Sequence, residues 1–251
     1  MANNPVNLWG VSNRALPTRS VDATYQPMRR SCRGDLMVQN RGKPLVSLAD
    51  EGSYFVATNP TPGTGIAGIA AADGFDATET LFLLTNANTV ASATRVYLDF
   101  LEIACTVVDT GGSNIRYDMH IDDSTRFSSG GSAITPVNPN MDSSAAAVAT
   151  LRFGAVVTSA ATANVRYLGG RLISSTDLVV DDVIRVDFGG DSPTKAGSFD
   201  HLPAEASLSR YFQIAAPPVV LAPAACFLFS VNCASQSGAA TWSFNCGWHE
   251  R

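Results

Sequence analysis

Asp118, His120, Asp122 and Asp123 come nearest to a reactive grouping in this 251-residue chain. Carboxylates and an imidazole at alternating positions are the donor set of a divalent-cation or hydrolytic site. The same spacing arises without chemistry where the polar side of a half-buried strand faces water, and a cation would need further ligands from a second strand. Asp177, Asp181, Asp182, Asp187 and Asp191 form a second acidic stretch of the same kind. Gly63-Thr-Gly-Ile-Ala-Gly68 spells the glycine pattern of a dinucleotide loop, which works by ending a strand and opening a helix whose N-terminus holds the pyrophosphate. Here Pro60 and Pro62 precede it and no α/β alternation follows, so it reads as a flexible Gly-rich loop. Arg33-Gly34-Asp35 matches an adhesion tripeptide and reads as chance. His201 and His249 have no acid or nucleophile at a recognisable spacing, and G-x-S-x-G, H-E-x-x-H and P-loop patterns do not occur. The expectation is a protein that is not an enzyme and uses no cofactor.

Cys32, Cys105, Cys226, Cys233 and Cys246 show no C-x-x-C pair and no histidine at ligand spacing. They read as free, buried thiols of a reducing compartment, with a Cys226–Cys246 or Cys233–Cys246 bridge as the alternative.

The elements that would position these residues are strands. From Ala239, the residues Ala240, Trp242, Phe244, Cys246 and Trp248 alternate with Thr241, Ser243, Asn245 and Gly247, the period of a strand with one buried face. Cys226 to Cys233 is a second apolar run, and the polar residues 234–238 between them read as the turn of a terminal β-hairpin. Ile115, Tyr117, Met119 and Ile121 alternate with Arg116, Asp118, His120 and Asp122. Residues 95–105 alternate and then slip phase at Phe100-Leu101, which predicts a β-bulge. Residues 81–85 are apolar on both faces. Further strands are expected at 53–57, 148–158, 165–173, 183–188 and 210–215, while 216–223, rich in proline, suits only a sheet edge. Residues 123–145, rich in Ser, Gly, Pro and Asn, read as a long excursion. Helical signals are confined to 143–150 and 200–209. The pattern is that of an all-β, jelly-roll or Greek-key β-sandwich over 51–251.

Residues 1–50 differ. Four prolines interrupt them, and no period emerges beyond a strand piece near 35–39, so they read as an extended N-terminal arm. Residues 1–48 carry seven basic and two acidic residues, +5, against a whole-chain charge of −5, which leaves −10 on the remainder. The chain has only two lysines, Lys43 and Lys195; arginine suits interface pairing because its planar fork binds carboxylates bidentately. Lacking a dense basic run, the arm is expected to dock on protein and not on nucleic acid. The residues expected to carry that docking are Arg14, Arg19, Arg29, Arg30 and Arg33, with Trp9 and Tyr25 as apolar anchors. No signal-peptide pattern opens the sequence and no apolar run is long enough to cross a membrane.

The strings Ser20-Val-Asp-Ala-Thr-Tyr25, Leu48-Ala-Asp-Glu-Gly-Ser-Tyr-Phe55, Asn59-Pro-Thr-Pro-Gly-Thr-Gly-Ile-Ala67 and the closing Gly247-Trp-His-Glu-Arg251 resemble a group of structural proteins of tailed bacteriophages. That resemblance implies a jelly-roll subunit of the virion, made in the host cytoplasm: a capsid cement or decoration protein, often trimeric, whose partners are the major capsid protein or other virion proteins. It also allows a head or tail fibre or spike that contacts the host. A carbohydrate-binding sandwich, with a divalent ion near Asp118 to Asp123, is the reading from another class.

Overall fold

In a computed structural model of the chain, residues 44–70, 76, 78–89, 91, 93–108, 113–189, 210–234 and 238–251 are described. Leu45–Arg251 forms one compact unit. The strand pieces expected near 35–39 and the short turn expected in 200–209 lie outside the described residues.

The described elements are α1 (Pro44–Asp50) and thirteen strands: β1 (Tyr54–Thr58), β2 (Ile66–Ala70), β3 (Glu79–Asn86), β4 (Val96–Val107), β5 (Ser113–Asp122), β6 (Phe127–Ile134), β7 (Ala149–Thr158), β8 (Arg166–Ser174), β9 (Val183–Phe188), β10 (Tyr211–Ala216), β11 (Val220–Leu221), β12 (Cys226–Ala234) and β13 (Ala239–Glu250). They form two sheets, β1-β13-β4-β9-β10 and β6-β7-β3-β12-β5-β8, with β2 paired to β13 and β11 to β4. Take β1, β3, β4, β5, β8, β9, β12 and β13 as a core numbered one to eight. The first sheet then reads 1-8-3-6 and the second 2-7-4-5, with every neighbouring pair antiparallel. All but one of the connections between successive core strands cross from sheet to sheet, which is the winding of a jelly roll. The added strands widen it: β6 and β7 extend the second sheet beyond β3, and β10 runs parallel to β9 at the edge of the first.

The core lies between the sheets. Phe244 of the first sheet stacks on Phe153 at 4.2 Å and meets Phe82 edge-on at 6.5 Å, both from the second. Phe188 meets Phe227 edge-on at 5.2 Å across the same gap. Trp242 and Trp248 lie in this layer. Residues 81–85, apolar on both faces, are explained by a second buried cluster: Leu83, Val156, Cys226 and Leu228 lie behind the second sheet with Phe127 against them.

The expected hairpin at the end of the chain does not form. β12 pairs with β3 and β5, whereas β13 pairs with β1, β2 and β4. Both strands bury aromatic rows, and two such rows bury more by facing each other across a core than by lying side by side. Three further corrections concern local structure. Ile66–Ala70, read within the Gly-rich loop, is strand β2. Phe127–Ile134, read within the excursion, is strand β6; its Ser/Gly composition carries no alternation to find. Pro44–Asp50, read as extended arm, is a helix, whereas the helix formers at 143–148 build none.

Two other expectations are met, the bulge and the free thiols. In β4, Trp248 faces Leu98 and Gly247 faces Phe100, so Asp99 is the extra residue of a bulge. Cys105, Cys226, Cys233 and Cys246 are buried and free, and the two bridges considered are not made. Among the described residues no helix is long and apolar enough to cross a membrane.

Candidate docking face

Trp9, Arg14, Arg19, Tyr25, Arg29, Arg30 and Arg33 lie outside the described residues, as do Cys32, Asp35, Asp191 and His201. The structure therefore brings together a different set of side chains.

The group at Asp118–Asp123 is a lock and not an open site. His120 and Asp122 point from the outer side of β5, but Arg126, itself only 1% exposed, folds over them. Its Nη1 lies 2.9 Å from His120 Nε2, and its Nε and Nη2 donate to Ser159 O at 3.0 and 2.8 Å. Nε also lies 3.9 Å from Asp122 Oδ2. A guanidinium can only donate, so His120 Nε2 must offer its lone pair. Burial first, and then the Arg126 charge, pull the His120 pKa down to about 4, against the pull of Asp122. Asp122 accepts from the backbone N–H groups of Thr162 (2.9 Å) and Asp123 (2.8 Å) and from the Thr162 hydroxyl. Burial would raise its pKa, yet these hydrogen bonds hold it below the usual value. Asp123 receives Asn164, and Asp118 receives Asn232 Nδ2 at 3.3 Å. The polar-outward reading of β5 thus fails at its C-terminal end, where the outer side is covered.

The second acidic stretch divides. Asp182 is fully buried and accepts from Val179 N (2.8 Å), Arg210 N (3.0 Å) and the Arg210 guanidinium, again a structural tie. Among the described residues no three His, Cys, Asp or Glu side chains come together as metal ligands. The glycine pattern at 63–68 enters strand β2 and no helix, so nothing there holds a pyrophosphate.

Asp187 instead joins a network on the outer face of the first sheet. Register places Tyr54, His249 and Tyr97 in one row; Gly247, Phe100 and Asp187 in the next; and Asn245, Glu102, Arg185 and Gln213 in a third. Tyr97 and His249 stack at 4.7 Å with their rings 2° from parallel. Arg185 donates to Glu102 Oε2 at 3.1 Å and to Asp187 Oδ1 at 2.9 Å, and lies 4.8 Å over the Phe100 ring. Gln213 donates to Asp187 Oδ2 at 2.7 Å, and the Tyr54 phenol to Asp99 Oδ2 at 2.7 Å. Gly247 has no side chain because the Tyr54 hydroxyl and Phe100 ring close over it: a Cβ there would sit 2.3 Å from Tyr54 Oη and 2.7 Å from Phe100 Cε1. Burial, then the hydrogen bond that the phenol donates to Asp99, push the Tyr54 pKa up. Burial works against the Arg185 guanidinium, but its hydrogen bonds to Asp187 and Glu102 prevail and keep it charged. Arg185, Glu102 and Asp187 remain about one third exposed, at 31%, 29% and 29% of their side chains.

This face offers flat rings, the fork-shaped cation of Arg185, carboxylates and the His249 imidazole in a fixed array. Aromatic residues and arginine with little lysine is the composition of protein interfaces. It was legible only as the polar phase of strands sought for their core side; the signal available was Tyr97, Phe100 and Glu102 occupying that phase.

The strand order defines a jelly-roll sandwich with a closed apolar interior. No protein-family model matches the chain, and no curated protein matches it significantly in sequence. Among solved structures it is similar to the VP1 pentamer of human polyomavirus 6, at 12% identity over 80% of this chain and 95% of that one, with a TM-score of 0.25. The winding of the strands alone defines the jelly roll.

Proposed function

We propose that this chain is a non-enzymatic structural protein of a virion: a capsid cement or decoration subunit that assembles with copies of itself, as a trimer, and docks on the major capsid protein or another virion protein through Trp9, Arg14, Arg19, Tyr25, Arg29, Arg30 and Arg33. One observation carries the reading: an eight-strand jelly roll whose interior is filled by Phe82, Phe153, Phe227, Phe229, Phe244 and Trp248. Jelly rolls serve capsids, lectins and cupins, and fold alone does not choose among them. A cupin-type function needs polar ligands inside the roll, where this chain packs rings. Sugar binding favours exposed tryptophan platforms, and Trp242 and Trp248 are both core residues. What remains available for work is outer surface, and weak contacts repeated over a symmetric shell hold by multivalency.

Co-sedimentation of the full chain with particles that lack it tests the reading. The wild-type chain pellets with particles at saturating copy numbers in the hundreds, whereas Arg29→Glu/Arg30→Glu/Arg33→Glu with Trp9→Ala stays in the supernatant. Saturation at a few tens of copies would point to a fibre or spike. No binding by the wild-type chain would overturn the proposal.

A further inference from the structure

Resting on the reading that the chain assembles with its own copies, we propose that in assemblies free of the particle, before the leader docks on it, the outer face of the first sheet around Asp99, Glu102, Arg185 and Asp187 is the acceptor for the arginine-bearing leader, residues 1–43, of a neighbouring copy.

Charge argues first. On this face Glu102 and Asp187 share the guanidinium of Arg185, while Asp99 is held by the Tyr54 phenol and has no cation of its own among the contacts described; the four groups carry three negative charges against one positive, or −2. The leader's seven basic and two acidic residues give +5. The hydrogen bonds described engage Oδ2 of Asp99 and Oε2 of Glu102, so these two carboxylates each keep an oxygen able to accept from a further guanidinium, whereas Arg185 and Gln213 occupy both oxygens of Asp187. Arginine supplies that group and lysine does not, and the leader's basic residues are six arginines to one lysine. Burial pushes the Tyr211 phenol pKa up; Arg185 opposes this, and Glu102 and Asp187 add to it.

Surface chemistry argues second. Tyr97 stacked on His249, the Phe100 ring and the exposed Tyr211 offer ring faces on which guanidinium groups and aromatic side chains settle. The leader carries Trp9 and Tyr25 between its arginines. Charge and aromatic content are thus complementary on the two sides, the arrangement that sets partner choice and encounter rate. A leader on one copy meeting a face on the next is a head-to-tail contact, and such contacts close into rings where the rotation allows.

The test uses two full-length variants with opposite defects. The face variant is Asp99→Asn/Glu102→Gln/Asp187→Asn, and the leader variant is Arg29→Glu/Arg30→Glu/Arg33→Glu. In sedimentation velocity at low salt, each alone shows self-association weakened about tenfold or more. An equal mixture forms heterodimers, because the leader variant's intact face accepts the face variant's intact leader. A wild-type monomer, variants that assemble as the wild type does, or a mixture that fails to pair would each overturn the proposal. Unchanged urea midpoints check folding. Should the face variant unfold, Asn245→Arg, at an exposed position opposite Glu102, replaces it and must weaken association likewise. Particle co-sedimentation is scored apart: particle binding without leader exchange defeats this inference alone, and leader exchange without particle binding defeats the virion reading alone.

Discussion

At the scale of single residues, the triad His120, Arg126 and Asp122 ties acid sensitivity to folding. In the folded chain the imidazole is held neutral with a pKa of about 4, while in the unfolded chain it titrates near about 6.5. The unfolded state therefore takes up the proton first. Stability is full above about pH 6.5 and falls on acidification until about pH 4, a gap worth about 3 kcal/mol. Asp122, held below its usual value, withdraws further stability at lower pH, as it is protonated through its depressed folded pKa. Urea midpoints measured from pH 7 to 4 will decline in the wild type and stay flatter in His120→Gln, which keeps an acceptor for Arg126. Equal slopes would refute the assignment. Arg126→Met leaves Asp122 buried without its cation and should cost about 3–5 kcal/mol, with part of the loss recovered by adding Asp122→Asn. Thiols give a separate check. Burial foremost pushes the Cys105 and Cys226 pKa values up to about 12 and Cys233 to about 11, so at pH 8 none of the three reacts with a thiol reagent until urea is added.

At the scale of elements, the sequence was legible where one strand face is apolar and the other polar. β13 buries Ala240, Trp242, Phe244, Cys246 and Trp248 as its alternation implies, and the bulge in β4 falls where the phase slips. Pairing was not legible, because alternation states which side is buried and not which strand lies alongside. The apparent hairpin of β12 and β13 is the case in point. Nor could alternation reveal β6, whose Ser and Gly residues have no apolar phase, or β2, whose role is to close the open side of the roll. There Gly154, at φ 106°, lets β7 meet β2: a Cβ would stand 2.8 Å from Ala67 O. Gly154→Ala should therefore cost about 2 kcal/mol or more, from clash and left-handed backbone together, read as a lowered thermal midpoint. Glu250 fastens the excursion. Its buried carboxylate accepts from Val148 N at 2.9 Å, Ala149 N at 3.0 Å and Trp248 Nε1 at 2.9 Å. Glu250→Ala leaves two buried donors, Ala149 N and Trp248 Nε1, and the part-buried Val148 N without this acceptor and should cost about 3 kcal/mol, with faster proteolysis within 135–148.

At the scale of the whole molecule, the docking residues expected from the sequence and the face found in the structure are complementary halves. Net charge located a positive leader, and only the fold could gather Asp99, Glu102 and Asp187, which are scattered along the chain, onto one surface. Contacts of this kind between exposed charges weaken with salt, so assembly of the wild-type chain should be tighter at 50 mM than at 500 mM sodium chloride. Salt-independent assembly would place the contact elsewhere. The position of β13 between β1 and β4 has a consequence for biosynthesis. The Thr58 hydroxyl donates to Phe244 O, a partner 186 residues later. At about 5–20 residues per second on the ribosome, β1 waits roughly 10–40 s for the strand that completes it. Until then its edge and that of β4 stand open in a nascent chain. A chain stopped at residue 238 should accumulate as aggregate, and a holding chaperone supplied during translation should raise the soluble yield of the full chain more than one supplied afterwards.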